Sequence, residues 1–518
     1  MPHHTLAAVD LGSNSFHLQI ARVVDNQLYA LDNLKETVRL GAGVTPEKQI
    51  DPATAERAFN ALRIFAERLR DLPKDAVRVV GTNALRIAKN ANSFIREAEA
   101  ILGYPIEVIA GREEARLIYI GVAHSLPPAN QNRLVVDIGG GSTEFIIGHR
   151  MKPKLVDSLY MGCVSFSERY FPGGKLDRKS FKEAEYAAAR ELESITTPFR
   201  REGWREAYGS SGTAKALSII LVENGQSTHA ITRDGLAWLK EKALKAGDFK
   251  SLDLPGVKGD RVPVLPGGLA IMTAVFEELD LKEMAIADTA LRDGVLYDLL
   301  GRTSHTDIRD ATVIQFAKRY HVDQAQAARV ETAALRFFDA IDSSTDSATD
   351  IANQSVGSEQ NDAELLNERR YQHRQALGWA CRLHEIGISI AQAGFHKHSS
   401  YIIGNADMPG FSKREQATLA TLILAQRGKL SKLSAEQIQD DLFVSRVLCL
   451  RLSVLLARSR RNPGDQRFSL SRNLPERKFT LKVEHDWLAK NDLTAYELKQ
   501  EAMEWANVGV EVVVSGDL

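Results

Sequence analysis

One stretch of the sequence combines residues that could bind phosphate with residues that could bind a cation. Asp137 is followed by the glycine run Gly139–Gly141 and then by Ser142, Thr143 and Glu144. Glycines allow backbone N–H groups to approach an anion closely, and the two hydroxyls add further donors. Carboxylates beside such a loop repel phosphate unless a cation lies between them, so the two acids predict a shared Mg²⁺ site. The competing interpretation is a glycine turn flanked by surface acids.

A related pattern occurs near the start of the chain. The arrangement Asp–apolar–Gly–x–x–Ser begins at Asp10 and occurs again at Asp137. In both places apolar runs precede and follow the turn with the alternation that is typical of β-strands. The repetition in the same strand–turn–strand context indicates duplication. We therefore expect two β-hairpins in two facing lobes, with a cleft between them.

The elements around these turns follow from local patterns. Asp51 and Pro52 predict the start of an amphipathic helix. A third small-residue turn, Tyr208–Thr213, precedes a helical run that is expected to begin near Ala214. Helical patterns dominate from about residue 305, and strand-like alternation returns near the end of the chain. The polar segment Ser343–Asp362 is predicted to be a mobile insertion between helices.

Composition limits the class of protein. The chain has 518 residues and a mass of 57.3 kDa, which predicts three or four domains, and its 44% hydrophobic and 26% charged residues are typical of globular proteins. No run approaches the roughly 20 apolar residues of a membrane span. The three cysteines, Cys163, Cys381 and Cys449, argue against a disulfide framework and a thiolate zinc site. We expect a cytoplasmic protein, with peripheral membrane association as the alternative.

Six strings occur in order along the chain: DLGSNSFH (Asp10–His17), GTNALR (Gly81–Arg86), GREEARLIY (Gly111–Tyr119), DIGGGSTE (Asp137–Glu144), MGCVSF (Met161–Phe166) and SSGTAK (Ser210–Lys215). Taken together, they resemble the exopolyphosphatase / guanosine pentaphosphate phosphatase family. The resemblance implies an α/β fold with two ribonuclease-H-like lobes of the actin, Hsp70 and sugar kinase superfamily. It also implies an all-α HD-like domain and a small α+β cap. The expected domains are 1–120 and 121–304 for the lobes, 305–470 for the helical domain and 471–518 for the cap.

The resemblance also implies roles for individual residues. Glu114 matches the catalytic glutamate, a suitable general base for in-line attack by water, and Arg86 matches a phosphate-facing arginine. Residues alone do not distinguish Glu114 from Glu113, which we expect to be a solvated residue at a helix start. Glu144 is assigned both to catalysis and, with Asp10 and Asp137, to the metal. The phosphate-binding candidates are Ser13, Asn14, Ser15, Gly139, Gly140, Gly141, Ser142, Gly212, Thr213 and Lys215.

The expected activity is hydrolysis of a terminal phosphate with Mg²⁺ or Mn²⁺ as cofactor and K⁺ as a further candidate cation. We first favour inorganic polyphosphate as the substrate, cut processively, because GFHKHSSYI (Gly394–Ile403) resembles the polyphosphatase members. The alternative substrate is guanosine pentaphosphate, which would connect the protein with the stringent response. A non-enzymatic sensor of polyphosphate or nucleotides is a third interpretation. The expected assembly is a homodimer that binds no nucleic acid and has no transmembrane segment.

The helical half adds two hypotheses. His384 and Glu385 stand where a phosphodiesterase-type HD domain has its His–Asp pair, but the downstream ligands are missing, so a metal site there is doubtful. Basic residues could hold a polyanion, with scattered solvated charges as the alternative. These are Lys413, Arg414, Arg427, Lys429, Lys432, Arg446, Arg451, Arg458, Arg460 and Arg461. A chain that ends near Thr303 is therefore expected to cut short substrates but to lose processive action on long ones.

Overall fold

The computed structural model divides the chain into two compact units. The N-terminal unit comprises Met1–Ile308 and Pro409–Lys413, and the C-terminal unit comprises Arg309–Met408 and Arg414–Leu518. The structure describes residues 3–24, 27–127, 130–248, 251–252, 254–259, 261–303, 307–349, 359–462, 467–473 and 477–516, without the side chains of 303, 342–349 and 359–369. No helix within these ranges is long and apolar enough to span a membrane.

The first lobe of the N-terminal unit contains a five-stranded sheet. Its strands are β1 (Thr5–Leu11), β2 (Phe16–Val24), β3 (Gln27–Glu36), β4 (Val77–Gly81) and β5 (Ile106–Val108), and its helices are α1 (Pro52–Leu69), α2 (Asn83–Ile87) and α3 (Ala91–Leu102). The strand order is β3-β2-β1-β4-β5. The hairpin β1–β2 is antiparallel, and β4 and β5 extend the sheet in parallel. The first predicted hairpin is therefore confirmed.

Helix α1 begins where the sequence predicts. The Asp51 side chain accepts a hydrogen bond from Thr54 N, and Pro52 occupies the first turn. Its buried face includes Phe59, Leu62 and Phe65, which contribute to the core of the lobe. The opposite face of the sheet, which includes Leu6, Ala8 and Val80, belongs to a second buried cluster.

The second lobe contains a six-stranded sheet and the second hairpin. Its strands are β6 (Asn132–Ile138), β7 (Thr143–His149), β8 (Lys152–Leu159), β9 (Glu206–Ser210), β10 (Ala230–Thr232) and β11 (Glu283–Ile286). The order is β10-β11-β9-β6-β7-β8. Its helices are α5 (Cys163–Tyr170), α6 (Arg178–Glu202), α7 (Ser211–Glu223), α8 (Arg233–Ala246) and α9 (Leu265–Glu278). Helix α7 begins at Ser211, three residues before the predicted start.

Two helices fill the space between the sheets. Helix α4 (Gly111–Ser125) packs against β7, β8 and α10 (Leu291–Thr303), and α10 also packs against β1. Their apolar residues share a buried cluster with strand residues from both lobes, among them Val80 and Val135. The two helices approach closely, because a Cβ added to Gly294 would lie 1.8 Å from the Leu117 carbonyl oxygen. Helix α4 is thereby fixed between the two lobes.

The C-terminal unit consists mainly of helices. They are α11 (Ile308–Arg319), α12 (Gln324–Thr349), α13 (Glu359–Leu383), α14 (Phe395–Asn405), α15 (Lys413–Ala425), α16 (Ala435–Gln439), α17 (Asp441–Leu456), α18 (His485–Ala489) and α19 (Asp492–Ala506). A three-stranded sheet, β12 (Phe468–Asn473), β13 (Lys478–Val483) and β14 (Glu511–Ser515), has the order β12-β13-β14. Residues 343–349 and 359–362, which we predicted to form an insertion, continue α12 and α13 instead, and residues 350–358 lie outside the described residues. The α/β architecture with a helical part agrees with the predicted fold class.

Candidate active site

The turns of the two hairpins meet in one pocket of the N-terminal unit. A Cβ added to Gly140 would lie 3.0 Å from Ser13 Cβ, and one added to Gly141 would lie 2.5 Å from Asn83 Oδ1. A side chain at either position would require its neighbour to shift. The cavity has a volume of about 120 Å³, which is smaller than the roughly 300–1,000 Å³ of most small-molecule sites, and it opens to solvent. The predicted residues that line it are Asp10, Ser13, Asn14, Ser15, Glu114, Asp137, Gly139, Gly140, Gly141, Ser142, Gly212 and Thr213.

Glu114 lines this pocket and forms a buried ion pair with Arg86, which is not itself among the lining residues. Arg86 Nη1 donates to Glu114 Oε2 at 2.7 Å and to the Ile109 carbonyl oxygen at 3.0 Å. Glu114 lies in the first turn of α4 and is 8% exposed. Burial raises the pKa of Glu114, and the charge and hydrogen bond of Arg86 oppose this effect. A carboxylate with a raised pKa is a stronger base than a solvated one, as activation of water requires.

Glu113 is not the solvated residue that we expected. It is 3% exposed, and its carboxylate accepts hydrogen bonds from Arg116 Nε at 2.7 Å and Nη2 at 2.8 Å. It also accepts one from Gly410 N at 2.9 Å, within the segment Pro409–Lys413 of the same unit. Arg116 in turn binds Asp298. The expectation for Glu113 is therefore wrong, and a chain that ends near Thr303 would lack one of its donors.

Asp137 and Glu144 face each other across the second hairpin. They are directly paired in the register of β6 and β7, and both are buried. Asp137 Oδ2 accepts hydrogen bonds from Ser210 Oγ at 2.5 Å and Ser211 Oγ at 2.6 Å. Burial raises the pKa of Asp137, whereas these two donors lower it. Burial, followed by the charges of Glu114 and Asp137, raises the pKa of Glu144 well above its usual range.

Asp10 occupies the corresponding place in the first hairpin. Burial raises its pKa to about 7, where the charge of Arg292 opposes the shift and those of Glu114 and Asp137 reinforce it. Its Oδ1 atom is buried and has no hydrogen-bond partner. Burial raises the pKa of Asp10, Glu114, Asp137 and Glu144, and the charges of Glu114 and Asp137 raise the pKa of Asp10 and Glu144 further. With one oxygen of Asp10 unpaired, bound positive charge would be favoured in this site.

This arrangement fits a hard cation that shares its ligands with substrate. Carboxylate oxygens are the preferred protein ligands of Mg²⁺, which usually keeps water or phosphate oxygens in its remaining positions. Within the described ranges, no three His, Cys, Asp or Glu side chains form a ready-made cluster for a metal ion. Asp10 and Asp137 line the pocket, whereas Glu144 is not among the lining residues and pairs with Asp137 across the hairpin. The three carboxylates could thus supply only part of a coordination shell, and substrate and water would have to complete it.

In the third turn, the side chains of Thr213 and Lys215, which we predicted to bind phosphate, make hydrogen bonds within the fold. Thr213 Oγ1 donates to the Ile138 carbonyl oxygen at 3.0 Å, so this hydroxyl is engaged within the fold. Lys215 is not part of the pocket lining, and its Nζ donates to the Asp288 carbonyl oxygen at 2.8 Å. A Cβ on Gly212 would lie 1.8 Å from a guanidinium nitrogen of Arg261. The turn therefore places a backbone segment and an arginine at the pocket.

The sequence-based reasoning missed several residues that line the pocket or contact its predicted residues. Asn83 and Arg261 line the pocket, and Ser158 Oγ donates to Glu144 Oε1 at 2.9 Å. Asn83 lies within GTNALR and could have been included with Arg86. Arg261 and Ser158 lie outside the strings, and only the fold brings them to the site.

The structure does not support the predicted metal site at His384 and Glu385 in the helical half. His384 Nδ1 lies 2.7 Å from the Cys381 carbonyl oxygen, and its Nε2 lies 4.0 Å from Glu385 Oε1, too far for a hydrogen bond. Burial lowers the pKa of His384. Glu385 is instead paired with Arg460 at 3.0 Å. Since the described residues contain no cluster of metal ligands here either, a second metal site has no support.

The predicted basic track is interrupted. Arg446 is buried, and burial lowers its pKa to about 10. Arg451 is also buried, with its Nη2 2.7 Å from Glu501 Oε2. Arg458 and Arg460 are engaged in ion pairs with Glu497 and with Asp323 and Glu385, respectively. These four residues do not offer free charges to a polyanion.

Comparison with known proteins identifies relatives for both parts of the chain. The model of the "Ppx/GppA phosphatase family" matches residues 19–303, and that of "Ppx/GppA phosphatase, domain III" matches residues 308–502. A guanosine-5'-triphosphate,3'-diphosphate pyrophosphatase from Aeromonas hydrophila is 37% identical over 97% of each chain.

Among solved structures, an exopolyphosphatase from Cytophaga hutchinsonii has a TM-score of 0.53 at 23% identity and covers 57% of this chain and 98% of its own. An exopolyphosphatase-like protein has a TM-score of 0.51 at 26% identity, with 57% and 99% covered. The first of these structures supports the fold alone. Both cover only a little more than half of this chain.

Proposed function

Because the chain belongs to the Ppx/GppA phosphatase family, we propose that it removes the terminal 5'-phosphate of guanosine-5'-triphosphate,3'-diphosphate. It is a hydrolase of phosphoanhydride bonds, and the substrate is the part that we propose. One observation carries the choice: the relative named for this nucleotide matches 97% of both chains at 37% identity. This replaces our first preference for polyphosphate.

The chemistry follows from the residues at the pocket. Glu114 accepts a proton from a water molecule, and the water oxygen bonds to the terminal phosphorus. The bond from this phosphorus to the bridging oxygen breaks, so that the shortened nucleotide leaves with the bridging oxygen and the attacked group becomes orthophosphate. Glu114 then releases its proton to solvent. Arg86 holds Glu114 in place at 2.7 Å and supplies positive charge near the transferred group. The glycine-rich turns present backbone N–H groups to the phosphates. A bound Mg²⁺ would neutralise phosphate charge, held by Asp10, Asp137 and Glu144.

Inorganic polyphosphate is the second candidate substrate. It is supported by the string Gly394–Ile403 and by the 26% identical structure of an exopolyphosphatase-like protein. The interrupted basic residues of the helical half give no support to a long-chain track. Mg²⁺ rather than Mn²⁺, a role for K⁺, a cytoplasmic location and a homodimer stay predictions.

Phosphate release measured side by side from guanosine pentaphosphate, tripolyphosphate and long polyphosphate tests the proposal. We expect the highest kcat/KM for the nucleotide, with the guanosine tetraphosphate as its product. Glu114→Gln is the matched control, because release by this protein should fall by at least about 10²-fold in the variant, whereas release by a contaminant should stay the same. A higher kcat/KM for long polyphosphate would reject the nucleotide as the preferred substrate.

A further inference from the structure

The turn between β9 and α7 contains a residue in a backbone conformation that its type disfavours. Ser211, the first residue of α7, has φ of +64°. This left-handed region is readily adopted by glycine, whereas for other residues the Cβ crowds the following carbonyl group. Backbone conformation alone would favour a glycine at position 211, like the glycine at the next position, Gly212. The serine at 211 therefore needs another explanation.

The serine hydroxyl provides that reason. Ser211 Oγ donates to Asp137 Oδ2 at 2.6 Å, and Ser210 Oγ donates to the same oxygen at 2.5 Å. Ser210 is the N-cap of α7, yet its side chain makes no capping hydrogen bond. Both hydroxyls are therefore directed to the carboxylate and not to the helix.

The register of the sheet explains only one of these contacts. Ser210 is directly opposite Asp137 in the pairing of β6 with β9, so an extended strand brings its hydroxyl close. Ser211 lies beyond the end of β9, and an extended backbone would turn consecutive side chains to opposite faces. In the left-handed conformation of Ser211, the hydroxyls of both serines contact the same oxygen, Asp137 Oδ2. Asp10, the counterpart of Asp137 in the first hairpin, has no such donors on its buried Oδ1.

We propose that Ser211 is a positioning residue, held in a strained backbone conformation so that its hydroxyl fixes the orientation of the Asp137 carboxylate. With Oδ2 held by two donors, Oδ1 lies outside this pair of hydrogen bonds, and Asp137 lines the pocket. Groups that orient a ligand carboxylate typically change metal affinity by 10–100-fold when they are removed. The proposal deepens the proposed function, since it rests on Asp137 as a cation ligand.

Two substitutions in the full chain separate the hydroxyl from the backbone. Ser211→Gly removes the hydroxyl and the strain, whereas Ser211→Ala removes the hydroxyl and keeps the strain. We expect both to raise the Mg²⁺ half-saturation of phosphate release by roughly tenfold. The Gly variant should melt on the order of 2 °C above the Ala variant. The Mg²⁺-induced rise in Tm, measured without substrate, should need correspondingly more Mg²⁺ in both variants.

Lys48→Gly is the control for the backbone effect. Lys48 has almost the same conformation, with φ of +63°, and an exposed side chain outside the pocket. This variant should change Tm without a change in the Mg²⁺ dependence of Tm or activity. An unchanged Mg²⁺ dependence in Ser211→Gly would overturn the proposal. A raised Mg²⁺ half-saturation in Ser211→Ala that is normal in Ser211→Gly would also overturn it, because the backbone and not the hydroxyl would then be responsible.

Asp137→Asn distinguishes this failure from a failure of the proposed function. If Asp137→Asn shifts the Mg²⁺ dependence and Ser211→Gly does not, only the role of Ser211 is rejected. If neither variant shifts it, Asp137 is not a cation ligand, and the metal assignment fails together with the role of Ser211.

Discussion

Replacing the two adjacent glutamates of α4 separately should give opposite results. Glu113 is enclosed by Arg116 and Gly410 N, whereas Glu114 lies at the pocket and pairs with Arg86. We predict that Glu113→Gln lowers stability with little effect on kcat. Glu114→Gln should lower kcat by at least about 10²-fold with little effect on stability.

The size of the stability loss follows from the contacts of Glu113. The side chains of Glu113 and Arg116 are 2% and 6% exposed, so their ion pair is not screened by solvent. Removing one partner of a buried pair costs about 3–5 kcal/mol. Glutamine keeps one acceptor oxygen, and Arg116 keeps Asp298, so we expect about 2–3 kcal/mol. Burial raises the pKa of Glu114, so the charged carboxylate is costly to bury. Glu114→Gln removes this cost, which offsets much of the stability lost with the ion pair to Arg86.

Urea denaturation and steady-state phosphate release on the same two full-length variants provide the measurement. The predicted pattern is a lower midpoint with normal kcat for Glu113→Gln and the reverse for Glu114→Gln. If Glu113→Gln were catalytically dead while Glu114→Gln stayed active, the assignment of the general base would be wrong by one residue. If both variants unfolded at the same urea concentration as the parent, the buried network would contribute no net stability.

Three further predictions concern other parts of the N-terminal unit. Arg86→Lys should lower kcat on the order of tenfold or more, because an ammonium group cannot hold the general base with the same geometry; an unchanged kcat would contradict this. Gly294→Ala should cost about 3 kcal/mol in urea denaturation, since the new Cβ meets the Leu117 carbonyl oxygen, whereas Gly259→Ala, which has open space, serves as the control. Because the pKa of Asp10 is raised to about 7, protons should compete with Mg²⁺, and the Mg²⁺ half-saturation should fall as the pH rises from about 6 to about 8. In the metal-free protein the same shift stabilises the fold at low pH, and this contribution is lost as the pH rises through about 7.

Much of the fold could be predicted because its signals are local. Period-two alternation around small-residue turns identified both hairpins, and the cap at Asp51 identified the start of α1. The segment Ser343–Asp362 was misjudged because polar composition indicates a solvated surface and does not by itself show where a helix ends. Its residues 343–349 and 359–362 are helical.

The site could be predicted only where its residues lie in the repeated motifs. Asp10 and Asp137 were found because the pattern occurs twice, and their pocket is shared. Which of two adjacent glutamates faces that pocket depends on the rotation of α4 about its axis, and α4 packs against α10, β7 and β8. Arg261 comes from a distant stretch of the chain with no recognisable pattern, and only the tertiary structure places it over Gly212.

The segment Pro409–Lys413 has a consequence for the order in which the protein is made. It belongs to the N-terminal unit, yet about a hundred residues separate it from Ile308. At about 5–20 residues per second, the ribosome needs about 5–20 s to produce that stretch. During this interval the carboxylate of Glu113 lacks the hydrogen bond from Gly410 N. The catalytic helix is therefore expected to reach its final packing only after most of the chain has been synthesised.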